Sequence, residues 1–196
     1  ILSGGLEALL KDKFTVNGLF TATGIEKYLE EYALSHNHFS KLGVQLYVIG
    51  TQLNHFRKVV FGNFHETSKD RIQMKINYAT ISQAVAASVS LPPVFAPYKI
   101  NDPTGKEMFF FDGEIRDSLS THVAADNGAD LIIASYSYQP YHYTENIGSL
   151  HHFGMPVILN QALYQVIQQK IDRNIQIKAT VRETYNEIND YCKKIG

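Results

Sequence analysis

Apolar positions follow two regimes along this chain. Up to about residue 135 they form short runs broken by Gly, Pro, Asn or Asp, and beyond Pro156 they recur every three or four positions. In the first regime, Ile25, Tyr28, Leu29, Tyr32 and Ala33 are helically spaced and predict a helix over 24–35. Residues 44–50 (Val-Gln-Leu-Tyr-Val-Ile-Gly) read as a buried strand. Lys58-Val-Val-Phe61 reads as a second strand after a turn near Asn54. The Ala- and Ser-rich stretch 79–90 predicts a packed helix that stops before Pro92 and Pro93. Met108-Phe-Phe-Phe111 and Asp130-Leu-Ile-Ile-Ala134 are runs of the kind found in sheets covered on both faces. Residues 118–127 between them fit a helix with Gly128 as its C-cap. Strand, helix and strand at this spacing form a βαβ unit. The expected class is therefore α/β: a layered, mostly parallel sheet with helices on both faces.

In the second regime, Leu163, Ile167, Ile171 and Ile175 recur every four residues, and Ile177, Val181, Tyr185, Ile188, Cys192 and Ile195 continue at three and four. One or two long amphipathic helices over 155–195 follow, with Pro156 in the first turn. The alternation Ile175, Ile177, Ala179, Val181 also admits a short strand. Residues 136–154 form a long aromatic loop, which suits either a lipid interface or packing on the protein surface.

Composition narrows the function classes. The 196 residues fit one domain, and 44% hydrophobic content supplies a core. With 18 basic and 19 acidic residues the net charge is −1, so no global field favours nucleic acid. The single Cys192 excludes an internal disulfide framework and a Cys-rich metal site. The histidines, His151-His152 included, lack metal-ligand spacing to acidic partners, so no metal is expected. No apolar run reaches the length of a membrane span. The sequence does not begin with Met, and an upstream segment is expected.

The chemistry concentrates at Phe109-Phe-Phe-Asp-Gly-Glu114, where Asp112 and Gly113 directly follow an aromatic strand. A carboxylate at a strand end is where an α/β enzyme keeps a catalytic base. The same Asp-Gly pair is also a common turn former. A Gly-x-Ser-x-Gly nucleophile elbow is absent from the 196 residues. Ser3-Gly-Gly5 imitates part of one, but Ile1 stands where the first Gly belongs and no strand precedes it, so Ser3 is rejected as a nucleophile.

Three blocks, in order and spacing, resemble the patatin-like phospholipase family: Gly50-Thr-Gln-Leu-Asn-His-Phe-Arg-Lys-Val-Val-Phe61, Ala84-Val-Ala-Ala-Ser-Val-Ser-Leu-Pro-Pro-Val-Phe-Ala-Pro97, and Phe111-Asp-Gly-Glu-Ile-Arg116 followed by 125–133. The resemblance covers roughly residues 1–135 and identifies the chain as the C-terminal portion of one patatin-like α/β domain, incomplete at its N-terminus. It implies a lipid acyl hydrolase with a Ser–Asp dyad and no cofactor, acting on a lipid or other carboxylic ester. Only Asp112 carries over as catalytic, as general base, with Gly113 and Glu114 flanking it. The serine and its oxyanion loop are expected upstream, in a missing segment of the same domain. Desolvation by Phe109–Phe111 favours the proton-binding form of such a carboxylate. Glu114 departs from the family's small residue, and Ser118 and Ser120 from its Asn and Pro, which puts the activity in question. The alternative is a catalytically incomplete fragment or a divergent scaffold. Cytoplasmic or membrane-peripheral placement is expected, with peripheral lipid contact.

Overall fold

A computed structural model describes residues 17–55, 57–137 and 140–195. They group into two compact units that divide between Arg116 and Asp117.

The first unit is built on a six-stranded sheet. Helix α1 (Thr23–Tyr28) runs on into one π turn, Leu29–Ala33. Strands β1 (Tyr47–Gln52), β2 (Arg57–Gly62), β3 (Ser68–Lys69) and β4 (Gln73–Ile76) precede helix α2 (Ile81–Ser88). Strands β5 (Tyr98–Asn101) and β6 (Glu107–Asp112) follow it. The sheet order is β3-β4-β2-β1-β6-β5. Only β2 and β4 pair in parallel, and the four other pairs are antiparallel. The expectation of a mostly parallel sheet is therefore corrected to a mixed sheet, with helices. The reason is local: β1–β2 and β5–β6 are joined by tight turns, which permit only antiparallel pairing. In the β5–β6 turn, Asp102 Oδ1 accepts from the N–H groups of Thr104 and Lys106, both at 2.9 Å.

The first strand begins three residues later than its apolar run. Val44 is exposed, and the register Gln52↔Arg57 across the turn carries the strand on through Thr51 and Gln52. Alternation then sorts the side chains. Met108, Phe110 and Asp112 of β6 are buried, and the residues between them are less so. By register, Val59 and Phe61 of β2, Met74 and Ile76 of β4, and Ile100 of β5 share that face. Against it pack Ile81, Ala84 and Ala87 of α2. Alanine at these positions lets the helix lie close to the sheet.

Helix α2 starts where its orphan N–H groups are met. Thr80 and Gln83 form a reciprocal capping box. Asn37 supplies the rest, with its carbonyl accepting from Ile81 N–H and its Oδ1 from Ser82 N–H. Next to this end, burial pushes the Tyr78 hydroxyl up to about 12, with a smaller contribution from the Asp102 charge. Burial also raises Tyr98, helped by a hydrogen bond to Glu26 and by the charges of Glu26 and Glu30.

The second unit contains α3 (Thr121–Asp126) and α4 (Met155–Ile195). Gly128, at φ +86°, ends α3 in the left-handed region, as its position predicts. Helix α4 is continuous over 41 residues, so the alternation at 175–181 is helical and not a strand. With neither Gly nor Pro from 157 to 195, nothing interrupts its hydrogen bonding. No helix among the described residues is long and apolar enough to cross a membrane. The aromatic loop is anchored to α4 where Tyr141 and Gln161 exchange two hydrogen bonds of 2.9 Å.

The run 130–135, expected as a parallel strand, forms none. Leu131 and Ile133 are exposed to 79% and 87%. A strand exists only where a neighbour accepts its ladder, and 130–135 pairs with no strand among the described residues.

Candidate functional site

Asp112 is the last residue of β6 and is 6% exposed. Its position follows from the alternation along the strand, which turns it to the face shared with Phe110. Three bonds fix it. Its N–H donates to the Ser90 carbonyl at 3.0 Å. Its own carbonyl accepts from Thr51 Oγ1 at 3.1 Å, across the pair Gly50↔Asp112. Its Oδ1 accepts from the Glu114 N–H at 2.9 Å, which turns the chain into a short 3-10 segment, Gly113–Ile115. Backbone and side chain are thus both oriented, as a group with a set direction of proton transfer requires. The bond from residue 114 uses its main chain, so the acidic side chain that departs from the family's pattern does not disturb it.

Gly113 is needed for space and not for turn chemistry. It is outside the left-handed region, but a Cβ there would meet the Ile49 carbonyl oxygen at 2.6 Å and carbon at 2.8 Å. These are backbone atoms of β1, which cannot rotate away. Gly113→Ala is therefore expected to destabilise by about 1–3 kcal/mol, the range for overpacking. A urea titration would show the midpoint falling with an unchanged slope. A midpoint equal to the parent's would mean that β1 yields freely.

The segment after Ser90 is braced from two sides. Ser90 is fully buried, with its Oγ donating to the Ala86 carbonyl at 2.7 Å. Leu91–Pro97 contains a cis peptide between Pro92 and Pro93. Phe95 N–H donates back to Leu91, and residues 19 and 20 donate to the Pro93 and Val94 carbonyls at 3.3 and 2.9 Å. The aromatic run is divided by the pleat. Phe110 is fully buried on the face of Asp112, while Phe109 and Phe111 point to the other face. Phe109 there lines a cleft of about 320 Å³ with Asn17, Leu53, Asn54 and Pro97. Asp112 is therefore flanked by one of the three phenylalanines and not walled by all of them.

The residues of all three sequence blocks thus meet in one place, with Thr51 from the first and Ser90 from the second both bonded to Asp112. The sequence model of the patatin-like phospholipase family matches residues 3–125, more than half of the chain, and spans this whole arrangement. The chain belongs to the patatin-like phospholipase family. A search among curated proteins found no match. Patatin-like proteins are lipid acyl hydrolases, so the family implies hydrolase activity on lipid esters in general. The match ends at residue 125, ahead of the run 130–135 that fails to pair.

Ser3 lies outside the described residues. Thr51 and Ser90 were not singled out by the sequence, although both stand in patatin-like blocks. Their signal was a small polar residue inside an otherwise apolar stretch, which once buried must find a partner.

Proposed function

We propose that Asp112 is the general base of a Ser–Asp dyad in a patatin-like lipid acyl hydrolase, with the nucleophilic serine supplied from outside these 196 residues. The observation that carries this reading is a buried aspartate at a strand end, whose main chain is bonded to residues of the other two blocks and whose carboxylate accepts from the Glu114 N–H. In the proposed reaction Asp112 takes the serine hydroxyl proton as Oγ attacks the ester carbonyl. The tetrahedral intermediate collapses, and the proton passes to the departing alcohol. Water, deprotonated by the same carboxylate, then releases the fatty acid from the acyl-enzyme. The sequence requires no metal or organic cofactor for these steps.

The test is a serine-directed fluorophosphonate. Applied to the chain together with the residues encoded ahead of it, the probe is expected to label one serine, in a Gly-x-Ser-x-Gly context, stoichiometrically. Applied to the 196 residues alone, it is expected to label nothing. Labelling mapped to Ser3, or an upstream segment with no elbow, would overturn the proposal. The second outcome would leave a non-catalytic member of the family that serves as a scaffold.

A further inference from the structure

Helix α4 carries a pattern that the proposed chemistry does not use. Tyr164, Ile167, Ile171, Asn174, Lys178, Val181, Tyr185, Ile188 and Cys192 follow one another in alternating steps of three and four, and Ile195 holds the next position of the repeat. This is the seven-residue period of a helix-to-helix seam. The first part of the line is buried. Ile167 and Ile171 are each 1% exposed. Asn174 Nδ2 donates to the Ser118 carbonyl at 3.4 Å and Lys178 Nζ to Thr121 Oγ1 at 2.7 Å, closing that end with polar contacts. Past Lys178 the same line emerges uncovered. Val181, Tyr185 and Ile188 are exposed to 63%, 68% and 58%, with Ile177 and Tyr191 beside them equally bare.

We propose that this uncovered half is a self-association surface whose occupant is the same helix of a second copy of the chain. Three features select that occupant. The three-and-four spacing offers side chains at the intervals that knobs-into-holes contact with a facing helix demands. The positions flanking the seam are Arg182, Thr184, Asn189 and Tyr191, with a single charge among them, so two identical faces meet without opposed rows of like charge. The remaining charges, Glu183, Glu187, Asp190, Lys193 and Lys194, lie away from the seam and are mixed in sign, unlike the cationic polar face of a helix that lies on a lipid surface. Five large side chains per copy bury roughly 1,000 Å² in total, the lower edge of specific interfaces, so the dimer is weak and reversible.

Sedimentation equilibrium of the whole chain tests this, in a Cys192→Ser background so that no disulfide imitates association. A monomer–dimer equilibrium is expected. Val181→Glu combined with Ile188→Glu should raise its dissociation constant at least about a hundredfold through like charges on the seam. Glu183→Lys, on the outer side, should leave it unchanged. Circular dichroism of the double variant, with helicity retained in the monomer, separates lost association from unfolding. A parent chain that stays monomeric at every concentration overturns the proposal, whether its stripe then binds anionic vesicles or is protected within the monomer. So does a dimer that the double variant leaves intact.

Discussion

Asp112→Asn is expected to lower kcat on a lipid or chromogenic ester by about a thousandfold or more, within the range for loss of a positioned general base. The measurement uses the protein in which the proposed elbow serine accompanies this chain. KM should hardly move, because the carboxylate is assigned to proton transfer and not to substrate binding. The substitution is well suited to separate chemistry from folding. Asparagine keeps an oxygen for the Glu114 N–H, and the bonds to Ser90 and Thr51 are made by the main chain of residue 112. The thermal midpoint should accordingly stay within a few degrees of the parent's. A variant that retains more than about a tenth of the activity would remove Asp112 from the base role.

Phe110→Ala should cost about 3–5 kcal/mol of stability, as for other buried phenylalanines. Phe110 is fully buried, and its ring meets that of Phe61 edge to face at 5.5 Å. Phe61 itself lies beneath Gly50, where a Cβ would touch its ring at 3.1 Å, so the cavity left by residue 110 is bordered by groups with little room to collapse. A double-mutant cycle with Phe61→Ala should return a coupling of about 0.5–1.5 kcal/mol for the ring pair. Phe109→Ala, on the half-buried face, should cost less than half as much. Equal losses at 109 and 110 would show that the two faces of β6 are packed alike, against the alternation described above.

How much of this was legible beforehand depended on the kind of information each element required. Helix α4 was readable because its apolar positions recur at three and four beyond Pro156, and strand β6 because Met108–Phe111 is a short unbroken apolar run. The neighbours of each strand were not readable, because an apolar run reports that it will be buried and not what will lie beside it. The run 130–135 shows this most clearly: its composition suits a central strand, yet it forms none. Strand β5 was missed because Tyr98-Lys-Ile-Asn101 is half polar, as an edge strand is free to be. At the candidate site, the placement of Asp112 at the end of its strand was legible. The partners that hold it were not, since Thr51 and Ser90 become informative only when three separated blocks are folded together.

The strand order also decides when the surroundings of Asp112 come into being. The β1–β2 and β5–β6 hairpins join near neighbours and close at small entropic cost. The seam between them, where Thr51 meets a residue 61 positions away, must gather a long intervening loop before any contact offsets that cost. On this topology the carbonyl of Asp112 meets Thr51 late in folding, in the step that joins the two hairpins. Partly folded chains therefore carry the aspartate without the cross-sheet bond that orients its main chain.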